Sequence, residues 1–246
     1  MKDSISENLD SVMQRIAAAA ERSGRSASDV RLVAVSKTRT PDEIKSAIEA
    51  GALDLGENKV QEITSKYDIL RVFTENSTKN RNIKWHMIGH LQRNKVKYIA
   101  DKVSLIHSVD SLRLADEISR RMDACGGTMD VLLQVNAAGE ASKSGVAPGE
   151  VTRLVSDIIE SCANVRIRGL MTIVPFAEDP DDVRRYFSDV RSLYDAVGRE
   201  YRCERLDFRW LSMGMTHDFE VAIEEGANMV RVGTGVFGPR VYARDA

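Results

Sequence analysis

From about residue 31 onward the chain repeats one pattern eight times. A short apolar run reads as a buried strand, a polar turn follows, and then a stretch of 3.6-residue periodicity reads as a helix. The sequence predicts strands over 31–36, 52–55, 84–89, 104–109, 129–136, 165–172, 208–212 and 228–232. Strands separated by helices must run parallel, because a tight turn cannot carry the chain back to the start of the next strand. Eight such units in 246 residues fit a (β/α)8 TIM barrel. No shift of composition marks a boundary, so one domain is expected over 1–246. The competing arrangement is an open doubly wound sheet, which would want a G-x-G-x-x-G after its first strand, and none is present. One helix precedes the repeat: Ile5, Leu9, Val12, Met13 and Ile16 fall on one stripe, Ser4 and Glu7 suit a capping box, and Gly24 stops it. Residues 1–25 are therefore expected to pack outside the barrel.

Composition removes several classes of function. The formal charge is −2, which gives no broad basic surface for nucleic acid. Cys125, Cys162 and Cys203 are odd in number and lack C-x-x-C spacing, so they read as free thiols of a reducing compartment. The N-terminus is too polar and acidic to open a signal peptide, and no apolar run reaches the ~20 residues of a membrane span. The expectation is a cytoplasmic protein, monomeric and off the membrane.

In a barrel, chemistry sits at the C-terminal ends of the strands. The first strand ends in Ser36-Lys37. A lysine there either marks where the strand meets water, or presents a partly desolvated amine able to form a Schiff base with a carbonyl compound. Asn58 follows the second strand, His86 and Gly89 end the third, Asn136 the fifth, Thr172 the sixth and Ser212 the seventh. Arg231 lies within the eighth, inside Met229-Val-Arg-Val, as a salt-bridged interior residue or a ligand contact. The turns Ser212-Met213-Gly214 and Gly233-Thr234-Gly235 occupy the place where this fold commonly binds phosphate, through backbone amides that glycine leaves accessible. His86 and His90 are four apart, but without a helix to align them they do not form a metal site.

These stretches also carry a resemblance. Leu32-Val-Ala-Val-Ser-Lys37, Gly56-Glu-Asn-Lys-Val-Gln-Glu62, Trp85-His-Met-Ile-Gly-His-Leu-Gln-Arg-Asn-Lys95, Ser142-Lys-Ser-Gly145, Leu211-Ser-Met-Gly-Met215 and Val230-Arg-Val-Gly-Thr234 run in order over nearly the whole chain. Together they are similar to the YggS/PROSC family, the pyridoxal phosphate homeostasis proteins. The resemblance implies a barrel like that of alanine racemase, standing alone, with pyridoxal phosphate held as a Schiff base on Lys37. It implies phosphate contacts from Ser212, Gly233 and Thr234, with Met213 and Gly214 in the same turn. It places Arg231 at the pyridine nitrogen and Asn58 and His86 near the cofactor. Lys143 becomes a second amine that could exchange with the cofactor, or is a solvated loop lysine. The function expected is a non-catalytic carrier or buffer of pyridoxal phosphate, with no catalytic residues and with pyridoxal-phosphate-dependent apo-enzymes as recipients. The alternative is a racemase-like enzyme. That chemistry needs acid–base groups on both faces of a substrate carbon, one of them a tyrosine from an additional domain for which a chain ending at Ala246 leaves no room. A barrel enzyme acting on phosphosugars, without this cofactor, is a third reading.

Overall fold

The computed structural model of the chain describes residues 2–76, 82–140, 144–201 and 205–239. Eight parallel strands close into a barrel in sequence order, and β8 pairs back onto β1. The strands are β1 (Arg31–Val35), β2 (Asp54–Glu57), β3 (Lys84–Met87), β4 (Leu105–Val109), β5 (Met129–Val135), β6 (Val165–Thr172), β7 (Leu206–Ser212) and β8 (Met229–Val232). The helices are α1 (Lys2–Arg22), α2 (Pro41–Ala50), α3 (Val60–Glu75), α4 (Leu112–Ala124), α5 (Val151–Ser161), α6 (Arg184–Glu200), α7 (Phe219–Glu224) and α8 (Thr234–Phe237). The expected barrel is therefore the fold.

Local chemistry explains the boundaries. Thr40 caps α2, Pro41 occupies its first turn, the Glu43 carboxylate accepts from the Thr40 N–H at 2.8 Å, and Gly51 ends it at φ 113°. Periodicity predicts an α-helix near 93–100, but the segment is a 3-10 helix, Arg93–Tyr98. The tighter form is common in short connectors of this kind. The second strand lies two residues later than its apolar run, so Glu57 belongs to it and is fully buried. Gly56 points into the barrel, where a Cβ would stand 2.9 Å from Val33 Cγ1.

The expected capping box of α1 is displaced: the helix already begins at Lys2, so Ser4 lies inside it. Ile5, Leu9, Val12 and Ile16 are buried as the stripe requires, but Met13 is 41% exposed at its edge. α1 lies outside the barrel over α2, α7 and α8, fastened by Arg15 to Glu220 and Arg22 to Glu224, both at 2.7 Å.

The core has two parts. A continuous apolar shell fills the space between strands and helices, with Leu55, Trp85, Met87, Ile106 and Leu133 facing outward from the strands. Alternate residues face inward, where Val33, Leu105, Leu132, Met171 and Met229 form a small plug backed by Trp210. The rest of the interior is polar and belongs to the site. Cys125 is exposed and Cys162 buried, both as free thiols; Cys203 lies outside the described residues. No described helix is long and apolar enough to cross a membrane.

Barrel closure imposes one severe backbone demand. At the register shift between β6 and β7, Gly169 adopts φ 139°, and a Cβ there would stand 1.8 Å from the Trp210 carbonyl oxygen. Gly169→Ala combines a clash with a conformation closed to L-residues, so it should lower stability by about 3 kcal/mol or more. Urea denaturation followed by circular dichroism reads this directly.

Candidate functional site

The C-terminal ends of the strands surround a cavity of about 540 Å³. Lys37 and Arg39 border it after β1, Asn58 after β2, and Gly89 and His90 after β3. Gln134 reaches it from β5, Met215, Thr216 and His217 from the loop after β7, and Arg231, Gly233 and Thr234 from β8 and the turn behind it. Five expected residues, Lys37, Asn58, Arg231, Gly233 and Thr234, are thus brought onto one wall.

The remaining four expected residues lie elsewhere. His86 and Ser212 point into the barrel below the cavity and are 1% and 0% exposed. Strand alternation puts their side chains one layer beneath the mouth. Met213 is fully buried in the outer apolar shell. Gly214 serves a tight approach: at φ 92° a Cβ would meet Ala222 Cβ at 2.7 Å and Phe219 Cα at 2.8 Å, so glycine lets α7 pack against the turn. Asn136 donates to the Glu140 carbonyl at 2.9 Å and shapes the loop after β5, and Thr172 donates to the Val135 carbonyl at 2.9 Å. Lys143 lies outside the described residues.

A buried charge cluster builds the turn that carries Lys37. Thr38 has φ 66°, the one left-handed non-glycine residue among those described. A threonine held there costs on the order of 1 kcal/mol, so neighbours must impose it. The Thr38 N–H donates to Glu62 Oε2 at 2.6 Å. Lys66 Nζ donates to that same oxygen at 2.9 Å, to Glu57 Oε1 at 2.8 Å and to the Ser36 carbonyl at 3.0 Å. Ser36 Oγ closes the ring on Glu57 Oε1 at 2.7 Å. Residues on both sides of Lys37 are therefore pinned to α3. Burial raises the Glu57 carboxyl above its ordinary range despite Lys66. At Glu62 burial also pushes upward, but the bonds from Lys66 and Thr38 outweigh it and hold that carboxyl low.

A second polar file crosses the barrel interior. Arg231 Nη1 donates to Ser212 Oγ at 2.6 Å and Nη2 to the Thr172 carbonyl at 2.8 Å. Ser212 Oγ lies 3.2 Å from His107 Nδ1, His107 Nε2 lies 2.9 Å from His86 Nδ1, and His86 Nε2 lies 3.0 Å from Asp54 Oδ1. Burial lowers His86, against the pull of Asp54, and lowers His107 further, helped by the charges of His86 and Arg231. Burial draws the Arg231 guanidinium down to about 10, so it remains a cation at neutral pH.

Sequence reasoning missed Thr216 and Arg39. Thr216 Oγ1 accepts from the Gly233 N–H at 3.3 Å and the Gly235 N–H at 3.4 Å, joining the two glycine turns. Arg39 pairs with Glu43 at 3.1 Å and donates to the Gly238 carbonyl, tying the start of α2 to the end of α8. The signals were a hydroxyl four residues past Ser212 and a cation two past Lys37, both inside segments already marked. Three cations, Lys37, Arg39 and Arg231, border the cavity, and no carboxylate does among the described residues. That donor set suits an anionic ligand with an electrophilic carbon. Among the described residues no cluster of three His, Cys, Asp or Glu could hold a metal.

Lys66→Met would strand Glu57 and Glu62 as unpaired acids and should lower stability by about 3 kcal/mol, measurable in urea. The histidines predict a pH effect. Both are neutral in the fold but take up protons in the unfolded chain as the pH falls below the ordinary 6.5. The unfolded state then binds more protons, so each histidine's contribution falls with pH, by at most about 1.4 kcal/mol per unit. Glu57 works in the opposite sense, so the effect is read as a difference. Wild type should lose stability relative to His107→Gln as the pH drops through 6.5.

The match to known proteins extends over the same elements. Residues 7–241 match the family described as alanine racemase, N-terminal domain. The pyridoxal phosphate homeostasis protein of Aquifex aeolicus is 46% identical over 236 residues, covering 96% of this chain and 98% of that protein. The protein of the same name from Escherichia coli K12 is 38% identical over 240 residues, covering 98% of each. PipY of Synechococcus elongatus, solved with pyridoxal phosphate bound, superposes with a TM-score of 0.78 at 32% identity, covering 95% of this chain and all of PipY, 100%. Alanine racemase of Corynebacterium glutamicum, at 17% identity and a TM-score of 0.69, shares the fold across 97% of this chain and 62% of its own. A barrel with a lysine after its first strand, matched over its full length at this identity, belongs to the pyridoxal phosphate homeostasis protein family, built on the alanine racemase N-terminal fold.

Proposed function

We propose that this protein binds pyridoxal 5'-phosphate and serves as its carrier in cofactor homeostasis. The observation that carries the reading is the wall of the cavity: a lysine after β1, two further cations, the glycine turn behind β8, and no bordering carboxylate among the described residues. A phosphorylated aldehyde needs a cationic, amide-rich end for its phosphate and an amine for its carbonyl carbon, and these stand on one mouth. The names of the relatives and the cofactor bound in PipY support the choice of ligand.

In this reading Lys37 condenses with the aldehyde to a Schiff base and releases water. The turn at Gly233 and Thr234, steadied by Thr216, takes the phosphate. Arg231 faces the ring nitrogen, where a cation disfavours protonation. Asn58 flanks the ring, while Ser212 and His86 act from beneath through Arg231. When bound, pyridoxal phosphate supplies a reactive aldehyde on an electron-withdrawing ring, and enclosing it limits side reactions with other amines. A carrier of this kind would hand the cofactor to apo-enzymes that depend on it.

A racemase needs a second acid–base group across from the lysine. No tyrosine and no carboxylate borders the cavity among the described residues, and of its two bordering histidines, His90 and His217, the latter is engaged with the Ala177 and Glu178 carbonyls, which favours the carrier. Incubation with pyridoxal phosphate should give a visible absorption band that borohydride bleaches, leaving the label on the peptide containing Lys37. Lys37→Ala should lack the band. Wild-type protein without a band would overturn the cofactor reading, and turnover of amino acids between enantiomers would replace the carrier with an enzyme.

A further inference from the structure

Arg231 is 3% exposed, and the two groups that its guanidinium meets inside the barrel are a hydroxyl and a carbonyl. A cation so buried needs compensation from somewhere. The file of hydrogen bonds beneath it has a polarity fixed from both ends. Arg231 can only donate, so Ser212 Oγ accepts from it and sends its own proton toward His107 Nδ1. A neutral His107 then carries its proton on Nε2 and donates to His86 Nδ1. His86 in turn carries its proton on Nε2 and donates to Asp54 Oδ1. From the other end, the Asp54 carboxylate only accepts, which demands the same tautomer of His86 and hence of His107. All donors run from the cation at the mouth to the anion at the base, across β8, β7, β4, β3 and β2.

Resting on the cofactor reading above, we propose that His107 and His86 are positioning residues for Arg231. They add the polarisation of the Asp54 carboxylate, carried through the barrel, to the direct charge of Asp218 near the mouth, so that Arg231 is held aimed at the ring nitrogen. Aligned, polarised hydrogen bonds in a low-dielectric interior transmit such compensation. The charged groups around the file are Arg31 at 3.5 Å from Asp54 and Lys84 acting on Asp54 and His86 at the base, and Asp218 acting on Arg231 near the mouth. Asp54 itself is pushed up by burial, but His86, Arg31 and Lys84 outweigh that and keep it ionised.

The alternative is that the histidines merely fill and satisfy the interior. Two measurements separate the readings. First, long-range ¹H–¹⁵N spectra of the ligand-free wild-type protein should show both His86 and His107 neutral with the proton on Nε2; an Nδ1–H ring at either position overturns the proposal. Second, pyridoxal phosphate titrations should compare variants whose folding is checked by circular dichroism. His107→Gln keeps a donor toward His86 but removes the acceptor for Ser212. It should weaken binding about tenfold and shift the absorption maximum of the bound cofactor. Asp54→Ala, remote from the cavity, should weaken binding in the same direction, and Asp54→Asn, which still accepts from His86, should recover most of the loss. Folded variants with wild-type affinity and spectrum overturn the proposal. The tautomer measurement needs no ligand, so it judges the file separately; wild-type protein that takes up no pyridoxal phosphate sinks the cofactor reading, and with it the aim assigned to Arg231.

Discussion

A guanidinium inside a β-barrel is the constraint around which this interior is arranged. Arg231 stands on β8 among apolar neighbours, 3% exposed, bonded to the Ser212 hydroxyl and the Thr172 carbonyl, with Asp218 the carboxylate whose charge acts on it. Ser212, His107, His86 and Asp54 replace what would otherwise be a layer of branched aliphatic side chains. The apolar plug is correspondingly small and sits around them. The chain gives up packing inside the barrel to hold one cation at the mouth, and recovers stability in the shell between strands and helices, where burial is continuous.

The lysine after the neighbouring strand β1 is held by a separate device. Ser36 and Thr38 are bonded into the Lys66, Glu57 and Glu62 cluster, so the backbone on both sides of Lys37 is fixed while its side chain reaches the cavity. A left-handed threonine is tolerated because three charged side chains over-determine it. The two devices share no residue. One fixes the turn that carries Lys37 from the α3 side, and the other holds Arg231 from inside the barrel.

Much of this was legible before any coordinates. The capping box at Thr40, the glycine stop at Gly51 and the alternation of strand and helix all follow from local rules, and the barrel realises them. Lys37, Asn58, Arg231, Gly233 and Thr234 were placed at one mouth because strand ends of a barrel converge. His86 and Ser212 point inward as expected but one layer below the cavity, and Met213 points into the outer shell, because depth and the inward or outward sense of a side chain depend on register. Gly214 was marked as a phosphate glycine, and the packing of α7 against it is a further demand for glycine that only the tertiary structure reveals. Thr216 and Arg39 were passed over because their partners lie 17 and 199 residues away.

Periodicity determined that the strands of this protein run parallel with helical crossovers, and the count of eight units with no dinucleotide motif after the first strand favoured the closed barrel over an open sheet. Residue type alone determined that the first strand ends in an amine. Tertiary structure decided what those residues face. The direction of each hydrogen bond in the file from Arg231 to Asp54 comes from five strands meeting in one interior, and the pinned turn at Thr38 comes from α3 folding back over β1. Such contacts depend on strand stagger and helix docking, which are properties of the closed barrel and are written in no local stretch of the chain.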